Sequence, residues 1–256
     1  MKALVLAAGY GERLRPLTET TPKPLLEVGG RPLIQYPLAM LRTAGIRDVA
    51  INLHHLGARL QQALGDGGAL GLAITYAPEP ILAGTGGPLL GLRDYFANDP
   101  FFIINGDTII DLDLNQVVEQ HRARRALATM VLRASTDPDG YSRIEADASG
   151  RIGRMRLLRR RGEYDDFAPS TPAAALAPYM FCGVMLCDPR ILTMLPDAAP
   201  FSLVREVLAP AVADGAMVQG FIHQGFFRTV DDLASYAALR AEFGAAPPEL
   251  QHVRGL

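Results

Sequence analysis

Two periods alternate across the first half of this chain, and they restrict its fold more than any other feature. Short apolar runs at 2–7, Asp48–Leu53 ("DVAINL"), 72–76 and Phe101–Asn105 ("FFIIN") read as strands buried on both faces. Between them stand segments of helical spacing. One covers 32–43, with Leu33, Leu38 and Leu41 toward one side and Gly45 ending it; others lie around Gly57–Leu64 and near 87–96. Strands alternating with helices in this way predict an α/β fold whose mostly parallel sheet is covered on both faces. Ligands of such sheets collect at the carboxyl ends of the strands.

The second half is less regular. A helix at 114–125 precedes a strand in "LATMVLRA", and "GYSRIEADASGRIGRMRLL" predicts a hairpin turning at 147–150. "RRRGEYDDFAPSTPAAALAP" is polar and proline-rich and reads as a long loop. A strand at 179–187, short helices at 189–195 and 203–214, a strand at 217–223 and a closing helix at 231–243 follow. The tail after Gly244 has no periodicity and is expected to fray. The expected organisation is one domain over 1–244, with a first part over about 1–125, a smaller β-rich lobe over about 126–230, the closing helix, and a tail at 245–256.

With 49% hydrophobic residues among 256, the chain can bury one large core. A formal net charge of -2 provides no basic field for nucleic acid or an anionic membrane, so any anion site must be local. No apolar run nears the ~20 residues of a membrane span. The chain opens on its first strand instead of a signal peptide's basic segment, and a cytoplasmic protein is expected. Cys182 and Cys187 lie five apart in an apolar strand, which places them on opposite faces as buried, inert thiols. Oligomeric state is left open by the residues.

The first strand runs into "LAAGYGERLRPLTETTPKP". Gly9-Tyr10-Gly11 supplies two glycines of a dinucleotide fingerprint, but Leu14 fills the third position, where close packing needs a small residue. No acidic residue closes the second strand, and no Gly-Lys-Ser/Thr follows as in a P-loop. The alternative is an open loop whose backbone N–H groups grip phosphate beneath two cations. Arg13 offers a planar fork, and Lys23 a point charge on a Pro-Lys-Pro segment expected to stay extended.

These residues carry a resemblance. "LAAGYGERLRPLTETTPKPLLEVGGRPLI" is similar to the signature of the sugar-1-phosphate nucleotidylyltransferases, and "YAPEPILAGTGGPL", "FIINGDTI" and "MFCGVMLCDPRIL" extend the likeness. The resemblance implies a Rossmann-like three-layer fold with an added sugar-binding lobe. It also implies Mg²⁺-dependent transfer of a nucleotidyl group from an NTP to a sugar 1-phosphate, by in-line attack without a covalent intermediate. Gly9 and Gly11 would then contact nucleotide and phosphate, with Ala8 near the base. Arg13 would hold the leaving pyrophosphate, and Lys23 would stand between the α-phosphate and the sugar phosphate. Asp107 would bind Mg²⁺. Many members close with W-x-D-x-G-T, where this chain has Thr229 at the aspartate position. The stretch "HQGFFRTVDDL" instead resembles the cytidylyltransferase closing segment, which makes Asp231 the second ligand; its plainer reading is a helix N-cap.

Glu79, Gly84, Thr85 and Gly86 fall in the nucleotide-binding motif, and Asn105, Tyr141 and Ser142 at positions used for the sugar. Ser142 replaces a usual glycine, and the Glu-Lys-Pro motif of many members is absent from "RMRLLRRR". The expected nucleotide donor is GTP or UTP, with CTP as a further alternative. A catalytically silent NDP-sugar-binding regulator is the competing function. His54 and His55 lack metal-ligand spacing and read as loop structure.

Overall fold

The computed structural model describes residues 1–135, 137, 139–169 and 175–255. Their contacts divide into two compact units: one is 1–82, 103–114 and 225–256, and the other is 83–102 and 115–224. Both units are discontinuous in sequence, so neither coincides with a simple split near residue 125.

The first unit has the parallel core predicted by the alternation. The Asp48–Leu53 strand lies between Lys2–Leu6 and Ala73–Pro78 and runs parallel to both, pairing Leu4 with Ala50 and Ala50 with Thr75. Its residues 49–53 are buried because both sheet faces are covered, which is why an unbroken apolar run folds here as a strand. Helices Gln35–Thr43 and Gly57–Leu64 follow the first two long strands, and Leu38, Met40, Leu41, Leu60 and Leu64 are buried. A short antiparallel pair, Thr108–Ile110 with Phe227–Thr229, was not legible in the sequence. The closing helix is Leu233–Ala245. The tail beyond it is docked rather than frayed. His252 donates its backbone N–H to Asp111 at 2.7 Å, Val253 is buried, and Arg42 donates to the Gly255 carbonyl at 2.9 Å.

The second unit is dominated by antiparallel pairing. Ala128–Arg133 lies between Val218–Ile222, which is parallel to it, and Ala177–Cys187, which is antiparallel. The latter also pairs with Arg143–Ala146, followed outward by Ile152–Arg160 and Glu163–Phe167. The last of these corrects the loop expected after Arg159, of which residues 170–174 lie outside the described residues. Its strand is polar and carries no hydrophobic alternation, and charge holds it instead. Arg154 forms a forked pair with Asp166, Asp165 meets Arg159 and Arg205, and Arg156 stacks 5.0 Å from the Tyr164 ring centre. The helices expected at 87–96 and 203–214 are broken. The first divides into Pro88–Gly91 and Arg93–Phe96, and the second opens with a π-turn over Leu203–Leu208 before Ala209–Ala213.

Cys182 and Cys187 are free and buried, and burial pushes the Cys182 thiol up to about 12. A register shift between Phe181 and Met185 interrupts the strand, so simple alternation does not carry from one cysteine to the other. No helix among the described residues is long and apolar enough to cross a membrane.

His121 lies on the Leu114–Arg124 helix, 3% exposed, with Nδ1 at 2.9 Å from Thr129 Oγ1. Burial lowers its affinity for a proton, and Arg190 and Arg122 act in the same direction against Asp188. Below pH about 6.5 the unfolded chain therefore binds more protons at this residue than the folded protein does. Stability is expected to fall as pH drops below that value. Urea midpoints measured between pH 7.5 and 5.5 should decline less steeply in His121→Gln; an identical slope would remove His121 as the cause.

Candidate active site

The residues of the first unit converge at the carboxyl ends of its parallel strands. After Leu6 the chain does not enter a long helix. It takes short turns, Glu12–Leu14, Leu17–Thr20 and Lys23–Leu25, separated by Pro16 and Pro22. Pro22 is extended as expected, but Lys23 itself heads a 3₁₀ turn, correcting the extended segment read from the flanking prolines. The bonds Leu25 N–H to Pro22 O at 2.8 Å and Leu26 N–H to Lys23 O at 3.0 Å close that turn. Pro24 fits inside it because the first positions of a helical turn need no N–H.

Gly11 has φ of 64°, and a Cβ there would stand 2.9 Å from Thr18 Cγ2. Thr18 in turn donates from Oγ1 to the Gly11 carbonyl at 2.9 Å, fixing the loop's shape. Around Gly9 a Cβ would meet nothing within 4 Å, so backbone can be approached from that side. Ala8 is buried beside it.

Lys23 and Asp107 form an ion pair through Nζ and Oδ2, with side chains 16% and 21% exposed. Asp107 stands in the turn between Phe101–Asn105 and Thr108–Ile110, and Asn105 closes the first of these strands. The turn is held against the first strand by the Gly106 N–H, which donates to Leu6 O at 2.9 Å. Arg13 and Asp231 form a second pair at 3.3 Å, more open to water, at 69% and 31% exposure. The short antiparallel pair brings both aspartates to one end of the same ladder. Thr108 pairs with Thr229, so Asp107, just before one strand, and Asp231, just after the other, leave the same end.

The cap reading of Asp231 is also resolved. Asp232 is the N-cap of Leu233–Ala245, accepting from Ser235 N–H at 2.8 Å, and the carboxylate of Asp231 points instead to Arg13. Among the described residues no group of three or more His, Cys, Asp or Glu side chains forms a metal cage.

A buried brace joins the strand ends. Ala7 N–H donates to Asn52 Oδ1 at 2.7 Å, and Asn52 Nδ2 donates to Glu79 Oε1 at 2.7 Å. Asn52 and Glu79 are 3% and 9% exposed. Asn52→Ala would leave two buried groups without this partner, at a cost of about 2–4 kcal/mol. Denaturant unfolding should show that loss, and a change below ~0.5 kcal/mol would contradict the brace.

Above the brace, Tyr10 meets His54 at 2.8 Å, His54 Nδ1 meets the Glu79 carbonyl at 2.8 Å, and His55 Nε2 meets the Thr18 carbonyl at 2.8 Å. Asn52 carried no predicted role, and both histidines read from the sequence as loop structure only. These contacts join residues 25 to 45 positions apart, and no local period signals them.

The remaining predicted residues belong to the second unit. Gly84 has φ of 78°, and a Cβ there would sit 2.4 Å from the Phe201 carbonyl. Gly86 N–H donates to that same oxygen at 3.0 Å, and Thr85 Oγ1 accepts from Leu203 N–H at 3.1 Å. Ser142 Oγ accepts from Leu158 N–H at 3.0 Å, and Tyr141 is 39% exposed.

The family model for nucleotidyl transferases matches residues 2–156. The chain belongs to this family. It is 42% identical over 162 residues to the N-acetylmuramate alpha-1-phosphate uridylyltransferase of Neisseria meningitidis, covering 59% of this chain and 68% of that one. It is 30% identical over 257 residues to the mannose-1-phosphate guanylyltransferase of Mycobacterium tuberculosis, covering 99% of this chain and 68% of that one. The fold matches, with a TM-score of 0.77 at 22% identity and full coverage of both chains, a Bacillus anthracis protein assigned as a glucose-1-phosphate thymidylyltransferase.

Proposed function

We propose that this chain is a sugar-1-phosphate nucleotidylyltransferase, converting an NTP and a sugar 1-phosphate into an NDP-sugar and pyrophosphate. The observation that carries the reading is the pairing of Lys23 with Asp107 and of Arg13 with Asp231 beside a glycine loop at the strand ends. An oxygen of the sugar phosphate attacks the α-phosphorus. A new P–O bond forms as the bond to the bridging β-phosphate oxygen breaks, and pyrophosphate carries away the electron pair. The nucleophile is already anionic, so no general base is required; the protein positions two polyanions and balances their charge.

In this reading Gly9 and Gly11 present backbone N–H groups to phosphate, with Ala8 beside the base. Lys23 spans the two reacting phosphates, and Arg13 steadies the departing pyrophosphate. Asp107 and Asp231 fit Mg²⁺, because this hard cation takes one or two carboxylates and completes its shell with substrate phosphates and water. When bound it would supply Lewis-acid neutralisation of the triphosphate. Glu79 sits deep in the brace with Asn52 and is assigned to holding the nucleotide segment. The assignments of Gly84, Thr85 and Gly86 to nucleotide, and of Asn105, Tyr141 and Ser142 to sugar, rest on the motif resemblance. A cytoplasmic location, where NTPs are supplied, goes with this chemistry.

The greater identity to the uridylyltransferase makes UTP the first donor to test, with GTP second and CTP third. The experiment is pyrophosphate release with Mg²⁺, each NTP being paired with hexose, heptose and amino-sugar 1-phosphates. Release with one pair supports the reading and names the substrates. Silence across the panel, with NDP-sugars still raising the melting temperature, would overturn it in favour of a regulator.

A further inference from the structure

We propose that His54 is a positioning residue that clasps the glycine loop to the strand ends through Tyr10. The clasp goes beyond the reaction proposed above, and only its kinetic arm rests on that reading.

The hydrogen-bond directions follow from the partners. The Glu79 carbonyl can only accept, so His54 Nδ1 carries the hydrogen of that 2.8 Å contact. In the neutral ring Nε2 is then an acceptor, and the Tyr10 hydroxyl donates to it at 2.8 Å. The chain Tyr10–His54–Glu79 therefore has one direction. It joins the residue between Gly9 and Gly11 to the backbone that follows the Ala73–Pro78 strand. The Glu79 N–H closes the connection by donating to Leu53 O at 2.7 Å.

A second tie works in parallel. His55 Nε2 donates to the Thr18 carbonyl at 2.8 Å, while Thr18 Oγ1 holds the Gly11 carbonyl. Adjacent histidines thus grip the loop at two points, and the Tyr10 ring lies 5.3 Å and 5.5 Å from their two rings. The backbone turns sharply just beyond them: Leu56 has φ of 53°, a conformation unusual for a branched side chain. It begins the Gly57–Leu64 helix without a side-chain cap. Tyr10 is 40% exposed, so its burial contributes little to the core. The directed bond is the reason to expect a tyrosine's effect to be local to the loop.

The test compares Tyr10→Phe, which deletes one oxygen, with His54→Asn, whose amide keeps a donor for the Glu79 carbonyl but cannot reach Tyr10. Hydrogen exchange at Leu14 and Arg15, whose N–H groups close the turn after Gly11, is expected to quicken about 2- to 10-fold in both, as one lost hydrogen bond implies. Exchange in Asp48–Leu53 should stay as in the wild type. The KM for NTP should rise by a similar factor with kcat within about twofold, because binding must now order the loop. The double variant should be no worse than either single one, and His54→Gln, which returns an oxygen near Nε2, should recover most of the loss. Wild-type loop exchange in both single variants would overturn the clasp. So would quickening spread evenly over loop and strands, which marks a general loss of stability. If the wild type turns over no substrate pair, the reaction reading fails, while the exchange comparison still decides the clasp.

Discussion

Lys23→Met is expected to lower kcat by about 10²–10³-fold while the protein stays folded and still binds NTP. A fixed cation between two phosphates does little for either substrate alone. It is most needed when the sugar phosphate and α-phosphate are driven together, so its loss should fall on kcat more than on KM. The structure adds a reason for its placement. Lys23 heads a closed turn, is 16% exposed, and is held by Asp107, so its charge is set in position rather than swept through solvent. Lys23→Arg should recover little, since a planar fork cannot replace a point charge in that space. Steady-state pyrophosphate release, with calorimetry for NTP binding, checks both claims. A Lys23→Met enzyme within tenfold of wild type would remove this residue from the reaction.

Asp107→Asn is expected to be similarly damaging, at about 10³-fold or more in kcat/KM, with weakened dependence on Mg²⁺. The substitution keeps the shape of the turn after Asn105, so folding is a fair control. Asp231→Asn should produce a smaller loss in the same direction, since its partner Arg13 is 69% exposed and the site is more open there. The adjacent residue provides the contrast. Asp232→Ala should lower stability through the lost cap and leave the Mg²⁺ dependence alone. A Mg²⁺ titration of activity, paired with urea unfolding of each variant, separates the two aspartates. Equal kinetic damage from Asp231→Asn and Asp232→Ala would sink the ligand assignment.

Much of this site was legible in the chain because its parts are local. Gly9, Gly11, Arg13 and Lys23 fall within one loop, where residue type and spacing single them out, whereas Asp107, in the turn after an apolar strand, was marked by the resemblance. The second carboxylate was harder. The resemblance pointed to Asp231 but left its reading as a helix N-cap open, and only the structure gives that cap to Asp232, which accepts from Ser235. The Glu163–Phe167 strand escaped for a related reason. Its order comes from arginines on other segments, Arg154 and Arg205 among them, and a single polar stretch carries no sign of them.

The sequence by itself determined the α/β class, the parallel core of the first unit and the residue types at the glycine loop. Hydrophobic period and turn chemistry act between near neighbours, and near neighbours are written side by side. Tertiary structure alone decided which aspartate faces Arg13, that Asn52 braces Ala7 to Glu79, and that two histidines grip the loop. Each of these depends on a hydrogen bond or ion pair between residues 25 or more positions apart. Such a bond forms only after packing has brought strand ends together, because no local preference can balance the entropy of closing so long a loop.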